Sequence, residues 1–353
     1  MAAAIAARQR GMSVAVADGT KPPIDKACGE GLMPETIAAL AELGVEIQPG
    51  AGYRFRGIQF VQQDVQVSGE FPQGSGVGIR RTILHEWLIA RAEECGVRMF
   101  WRTPVSAITK DGVQLPAEFV ASRWIVGADG SGSRVRRWSG LDAASRQSQR
   151  YATRRHYRVH PWSDHVEIYW GRRAQAYVTP IAREEVCMVV MAASVEDASF
   201  EAVMRDCPQL SQRLAGAKLA SRERGAITQM HSLRAVYSGN VALVGDASGG
   251  VDAITGEGLR LGFQQAIVLA DAMERDDLAS YARVHREQAR KPVLVGDLLL
   301  TLARNDNLRK RFIRMLAKRP QLFARLLAVH AGRAALGDCL SAGAQLGWRF
   351  LTT

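Results

Sequence analysis

A glycine-rich stretch between a buried strand and a helix carries the clearest chemical signal in the sequence. Residues 240–266 read NVALVGDASGGVDAITGEGLRLGFQQA. The unpaired backbone N–H groups at the start of such a helix favour an anionic phosphate, and glycines let the backbone approach it closely. A strand-end acid such as Asp246 can hold a sugar hydroxyl. The residues expected to bind a phosphate-containing cofactor here are Gly245, Asp246, Gly256, Gly258 and Leu259.

Two further acids follow short predicted strands. Residues 127–134 read GADGSGSR, so Asp129 and Gly130 repeat the arrangement of an acid beside glycines. Asp18 ends a strand that follows a small-residue helix, as in the back half of a dinucleotide-binding unit, where such an acid binds the ribose of an adenosine. For Asp18 taken by itself, the alternative is an ordinary surface residue. For either glycine cluster taken by itself, the alternative is a tight turn. Two glycine clusters at this spacing favour a nucleotide site.

With these motifs, the sequence resembles the flavoprotein monooxygenase superfamily with the para-hydroxybenzoate hydroxylase fold, in its geranylgeranyl-reductase-like and halogenase-like branch. The resemblance runs from residue 1 to about residue 275. Residues 127–130 match the family's DG motif and residues 245–246 match its GD motif. Residues 26–34, KACGEGLMP, match the CGEG segment of the branch.

The resemblance implies FAD as the cofactor and NAD(P)H as the electron donor. It places Lys26, Cys28 and Gly29 in a segment beside the isoalloxazine edge, and Val105 where a backbone group meets the adenine. Arg80 and Arg81 both fall where the family keeps a flavin-binding arginine. A redox thiol is the alternative role for Cys28, although no neighbouring resolving cysteine is evident.

The resemblance and the order of elements predict an α/β fold with a Rossmann-like FAD-binding domain that is N-terminally truncated. This domain takes residues 1–145 and 232–275, with about 53–78 contributing to an inserted antiparallel β-sheet substrate domain over 146–231. Residues 276–353 form a helical C-terminal region. Family members begin with a strand and a GxGxxG turn, and Met1 falls just after that pattern. We therefore expect strands 13–18 and 240–245 to flank an open central position, and the chain to bind FAD weakly or to fold poorly.

The flavin carries the chemistry in such proteins, so the sequence assigns no catalytic side chain. The first hypothesis is an FAD-dependent monooxygenase that hydroxylates or epoxidises a small apolar or aromatic substrate. The alternative is a geranylgeranyl-reductase-like enzyme that reduces C=C bonds of an isoprenoid. A degenerate, flavin-free binding protein is the second alternative.

Composition excludes several other classes. Hydrophobic residues make up 47% of the chain and charged residues 23%, as is typical of globular proteins. The five scattered cysteines predict reduced thiols in a cytoplasm, and the seven histidines show no ligand spacing, so no metal site is expected. His85 and His285 are expected to be surface or core residues on helices.

The net charge of +11 leaves the question of partners open. No zinc-finger, basic-zipper or RNA-stacking signature is present, so we expect a small-molecule substrate and no nucleic acid. The basic, amphipathic stretch 308–330 predicts either a helical cover over the FAD-binding domain or peripheral contact with a membrane.

Hydrophobic patterning predicts the elements that position these motifs. Helices are expected over 2–10, 34–43 and 81–95, and a buried strand over 124–128. Between residues 151 and 193 the period changes to two, which predicts a run of antiparallel strands. A helix is expected over 259–273, and the remainder is helical with interruptions that include Pro292 and Pro320.

Overall fold

The computed structural model describes residues 1–331, which form the predicted mixed α/β fold. The predicted helical region beyond residue 331 lies outside the described residues. The helices are α1 (Ala2–Gln9), α2 (Pro34–Glu42), α3 (Arg81–Glu94), α4 (Arg134–Trp138), α5 (Phe200–Asp206), α6 (Pro208–Arg213), α7 (Gly258–Glu274), α8 (Leu278–Arg304), α9 (Asp306–Lys318) and α10 (Pro320–His330).

The strands of residues 1–331 fall into five sheets. They are β1 (Ala15–Asp18), β2 (Gly31–Leu32), β3 (Tyr53–Phe55), β4 (Gly57–Gln62), β5 (Val65–Glu70), β6 (Gly76–Gly78), β7 (Arg98–Trp101), β8 (Ala107–Thr109), β9 (Gly112–Gln114), β10 (Phe119–Ala121), β11 (Ile125–Gly127), β12 (Asp142–Arg158), β13 (His165–Trp170), β14 (Ala174–Ala182), β15 (Glu185–Ala192), β16 (Lys218–Leu219), β17 (Arg224–Leu233), β18 (Tyr237–Ser238) and β19 (Val241–Leu243).

Two pairs of parallel strands carry the predicted nucleotide motifs. β1 pairs with β7, and β11 pairs with β19, which also takes the short antiparallel strand β18. Within residues 1–331, β1 and β19 are not hydrogen-bonded to each other. The loops after β1, β11 and β19 therefore belong to two separate parallel pairs.

Helices α1 and α7 pack against each other beside these strands. α1 buries three alanines and Ile5 between residues 4 and 7, and α7 buries Leu261, Phe263 and Leu269. Alanine lets two helix backbones approach closely. The starts of both helices line the same cavity.

The largest sheet runs β16-β12-β15-β14-β13-β4-β5, and β17 pairs with β12 on the same side as the short strand β16. Its neighbours are antiparallel except for β13 and β4, which are parallel. Residues 57–70 are thus part of the same sheet as the inserted strands. One face packs against α5 and α6, and the other packs against α8, α9 and α10 and borders the cavity.

The C-terminal helices differ from the sequence prediction in two respects. α8 continues through Pro292 instead of ending there; Pro292 and Gly296 lie on its buried side, so packing holds the helix where one backbone hydrogen bond is lost. The apolar stripe of α9 and α10 packs on the large sheet, where Phe60 and Phe323 have ring centroids 4.7 Å apart. The stretch 308–330 is therefore a cover mainly over the substrate sheet, and His330 at its end also pairs with Glu257 of the FAD-binding domain. Within residues 1–331, no helix has both the length and the apolar character needed to cross a bilayer.

Candidate functional site

A cavity of about 1940 Å³ lies where α1, α7, the two parallel pairs and the large sheet meet. The first turns of α1 and α7 both line it, and neither helix start is capped by a side chain. The first N–H groups of a helix have no intrahelical partner. Two helix starts that open on one cavity therefore provide a site for a diphosphate.

The turn after β19 is held by hydrogen bonds of Gly245 and Ser248. Gly245 has φ +58°, a left-handed conformation that glycine adopts without strain, and its N–H donates to Oε1 of Gln265 at 2.8 Å. The Ser248 hydroxyl donates to the Gly245 carbonyl at 2.7 Å and lies 2.8 Å from Nε2 of His285. Burial lowers the pKa of His285 to about 4, so this histidine is neutral near pH 7. His285 is a half-buried residue that supports the turn.

The start of α7 carries a buried acid. Glu257 precedes Gly258 and pairs with Arg260 one turn on and, at 2.9 Å, with His330 of α10. Burial alone raises the pKa of this carboxyl, but the charges of His330 and Arg260 outweigh burial and the pKa is lowered. The charge of Glu257 is thereby compensated beside Gly256 and Gly258, which line the cavity.

Two of the predicted acids present carboxylate oxygens to the cavity. Asp246 is exposed, and among the described residues its carboxylate has no hydrogen-bonding partner, although its backbone carbonyl accepts from the N–H of Gly249 at 3.3 Å. Asp18 accepts from the backbone N–H and the hydroxyl of Thr20 through Oδ1, at 2.8 and 2.6 Å. Both residues follow parallel strands and line the cavity, which is the placement that a ribose-binding acid requires.

Asp129 also lines the cavity but has a second role. Its carboxylate accepts from the Ser133 hydroxyl at 2.5 Å and from the backbone N–H groups of Arg134 and Val135 at 2.7 and 3.2 Å. These are the first N–H groups of α4, so Asp129 caps this helix. Gly130 and Val105 also line the cavity.

The two neighbouring arginines that were predicted to bind the flavin point to different parts of the structure. Arg81 lines the cavity, whereas Arg80 is directed to the substrate sheet, where it forms an ion pair with Glu185 at 2.5 Å. All the other predicted cofactor-binding residues border the cavity. Arg80 is the one that the structure does not bring there.

The segment that contains Lys26, Cys28 and Gly29 forms another part of the cavity wall. Burial raises the pKa of the Cys28 thiol, and burial raises that of Cys187 further. Reactive thiols have lowered pKa values. Both sulfurs are therefore protonated near neutral pH, which favours a packing role for Cys28 over a redox role.

Sequence reasoning missed a buried ionic network behind this segment. Oε2 of Glu30 lies 2.7 Å from Nε2 of His156, and its Oε1 accepts from the backbone N–H of Arg81 at 3.0 Å. Arg154 donates to both oxygens of Asp25, at 2.7 and 2.8 Å, and lies 3.7 Å from Oε1 of Glu30. The network joins the cavity wall to β12 and to the start of α3.

Strand alternation is the signal that would have found this network. Arg154 and His156 are two residues apart in a strand, so they share one face. Ala152 shares this face and lines the cavity. A basic residue and a histidine on the inner face of an inserted strand require buried acidic partners.

The same network contains three side chains, Glu30, His156 and Cys187, whose ligand atoms lie within 4.8 Å of one another. The Arg154 guanidinium lies 2.9 and 3.0 Å from the two ring nitrogens of His156. A cation between these groups would meet a fixed positive charge, and Cys187 is held as a neutral thiol. The cluster is suited to hydrogen bonding and not to a metal.

The large sheet forms the remaining wall of the cavity. On this wall Ala152, Val166, Val189 and Met191 are apolar. Tyr177 lies among them and donates its hydroxyl to the Ile254 carbonyl at 3.2 Å. A substrate on this wall would contact mainly hydrocarbon surface.

The parallel pairs with their strand-end acids, the two free helix starts and the covering sheet define a flavin-nucleotide-binding protein. The chain belongs to the FAD binding domain family, whose model matches residues 1–276. The suspected membership of the flavoprotein monooxygenase superfamily is thereby confirmed, and the chain is an FAD-binding oxidoreductase.

Individual relatives agree with this family. The menaquinone reductase of Mycobacterium tuberculosis is 25% identical over 305 residues, which are 79% of this chain and 74% of the relative. Digeranylgeranylglycerophospholipid reductase 1 of Methanothermobacter thermautotrophicus is 25% identical over 320 residues, 80% of this chain and 79% of the relative. The crystal structure of a geranylgeranyl bacteriochlorophyll reductase-like protein from Thermoplasma acidophilum has a TM-score of 0.78 at 17% identity and covers 90% of this chain and 88% of that one.

Proposed function

We propose that this protein reduces C=C bonds in the isoprenoid chain of a lipid, with FAD as the cofactor and NAD(P)H as the electron donor. The observation that carries the proposal is the apolar sheet wall that continues the cavity beyond the cofactor motifs. An extended hydrocarbon chain gains free energy by burying its surface on such a wall.

The named relatives support reduction over oxygen insertion. Menaquinone and digeranylgeranyl lipids both carry isoprenoid chains, and both curated relatives are called reductases. The site also agrees with a lipid chain, since Val166, Val189 and Met191 offer it contacts without polar groups that would need hydrogen bonds.

The residues of the chain have defined tasks in this proposal. The starts of α1 and α7 hold the diphosphate, and Asp18 and Asp246 hold sugar hydroxyls. FAD bound there would supply hydride chemistry for one carbon of the double bond. The chain would then have to provide a proton for the other carbon. Burial raises the pKa values of the Cys28 thiol and the Tyr177 hydroxyl, so both wall groups carry protons at neutral pH.

The first experiment asks whether the protein is a flavoprotein. Purified protein titrated with FAD should quench flavin fluorescence and acquire a perturbed flavin absorbance spectrum. No binding at high FAD would contradict the proposal and favour the flavin-free binding protein.

The second experiment separates reduction from oxygen insertion. The FAD-loaded protein is incubated anaerobically with NAD(P)H and either a menaquinone or a geranylgeranyl lipid, and the products are analysed by mass spectrometry. Reduction adds two hydrogen atoms per double bond and needs no oxygen. A product that forms only in air and carries oxygen from ¹⁸O₂ would contradict reduction.

The second candidate function is a monooxygenase acting on a small apolar or aromatic substrate. The aromatic ring of Tyr177 on the apolar wall favours it, because this surface also suits a flat ring. The oxygen experiment decides between the two.

A further inference from the structure

Three large apolar side chains are exposed side by side on α8. They are Val293, Leu294 and Leu298, with exposed fractions of 43, 52 and 42%. The other exposed large apolar residues in the described part of the chain lie singly on separate elements. Single exposed apolar residues are ordinary, whereas a cluster on one helix face indicates a contact surface.

Arginines flank this cluster along the same face. Exposed positions recur at intervals of three or four residues along α8, which defines one continuous stripe. Arg286 and Arg290 precede the apolar cluster on the stripe, and Arg304 follows it. Glu287 and Asp297 are acids within it. We call this stripe, residues 283–304, the α8 face.

The surrounding region is strongly basic. Residues 276–331 contain twelve Lys and Arg residues and five Asp and Glu residues, a net charge of +7 (12 − 5) out of +11 for the whole chain. A second copy of this region would be repelled, whereas an anionic lipid surface would be attracted. The charge therefore favours a membrane over self-association as the occupant of the α8 face.

We propose that the α8 face docks on an anionic membrane surface, with Val293, Leu294 and Leu298 in the headgroup boundary and the flanking arginines on lipid phosphates. The stretch 308–330, which the sequence marked as the amphipathic candidate, cannot supply this contact because its apolar side chains pack on the large sheet. The inference goes beyond the proposed reductase function and does not require it, because docking needs no turnover.

The test is co-sedimentation of the full chain with vesicles of phosphatidylcholine alone or mixed with phosphatidylglycerol. Wild type should bind the mixed vesicles and lose binding at high salt. Leu294→Glu should lower partitioning tenfold or more, and Arg290→Gln about fivefold. The matched control is Leu219→Glu on β16, whose side chain is equally exposed at 55% and isolated, and which should bind like wild type.

A gain of binding provides a test that misfolding cannot imitate. Asp297→Asn removes the acid that lies within the apolar cluster of the α8 face and should raise partitioning into anionic vesicles about fivefold. Three results would overturn the proposal. They are absence of wild-type binding to anionic vesicles, equal effects of Leu294→Glu and Leu219→Glu, and a lipid-free dimer that Leu294→Glu dissociates.

Discussion

Replacing Arg154 by Met should destabilise the protein far more than replacing Arg224, although both arginines bind the same carboxylate of Asp25. The Arg154 side chain is 1% exposed and pairs with Asp25 at 2.7 Å, and Arg224 is 51% exposed and pairs at 3.1 Å. Met keeps the apolar stem of an arginine and removes the charge. The pair of variants therefore compares one buried and one exposed cation on one acid.

The expected magnitude follows from Glu30, whose side chain is also 1% exposed. At the 3.7 Å separation of Arg154 and Glu30, Coulomb's law with an effective dielectric constant near 20 gives between about 4 and 5 kcal/mol. Loss of one partner of a buried pair typically costs about 3–5 kcal/mol of folding free energy. The exposed pair of Arg224 should contribute about 1 kcal/mol or less.

The assay is equilibrium urea unfolding followed by circular dichroism, with the free energy of unfolding taken from the midpoint and slope. The double variant Arg154→Met with Glu30→Gln should recover part of the lost free energy, because it removes the acid left without its cation. A loss below about 1 kcal/mol for Arg154→Met, or equal losses for the two arginine variants, would refute the idea that this network holds the cavity wall.

Three further predictions concern the cofactor and pH. Asp246→Ala should weaken FAD binding by about tenfold to a hundredfold in a fluorescence titration, because it removes a charge-assisted hydrogen bond, and the far-ultraviolet spectrum should not change; unchanged affinity would contradict the ribose assignment. Arg81→Met should lower FAD affinity in the same titration, whereas Arg80→Met should leave it within about twofold, since only Arg81 borders the cavity; equal effects would show that the placement is wrong. His285 has a pKa of about 4 in the folded chain and about 6.5 when unfolded, so the unfolded state binds the extra proton first and stability falls as pH drops from about 6.5 to 4. The loss should reach about 3 kcal/mol and should be reduced in His285→Gln, and a pH profile that this variant does not change would contradict it.

The cofactor motifs were predictable from sequence because they are local. Gly245 to Leu259 combine a strand end, a glycine turn and a helix start within fifteen residues, and the backbone conformation follows from the residue types. Strand-end acids such as Asp18 were predictable from sequence for the same reason. Their meeting at one cavity was not predictable in this way, because the strands belong to two separate parallel pairs.

The remainder of the site depends on contacts between distant parts of the chain. Arg80 and Arg81 are adjacent and chemically identical, so only the direction in which α3 begins separates them. Glu30 and His156 are 126 positions apart, and their contact depends on the position of β12 relative to the CGEG segment. No local pattern contains this information.

The C-terminal region shows a different limit of sequence reasoning. The amphipathic pattern of 308–330 correctly predicts helices with one apolar face, but a pattern does not identify the surface that covers that face. Pro292 likewise predicts a break that tertiary packing overrides in α8.

The buried pair of Glu257 and His330 has a consequence for thermodynamic linkage. One carboxylate compensates a charge on α10 and lies at the helix start that is free to receive an anion. If α10 moves away, the charge of Glu257 loses a partner and opposes an anion at the start of α7. Coupling free energies are reciprocal, so an anion bound there also strengthens the attachment of α10. Occupancy of the cavity and protection of the C-terminal helices from exchange or proteolysis must therefore rise together.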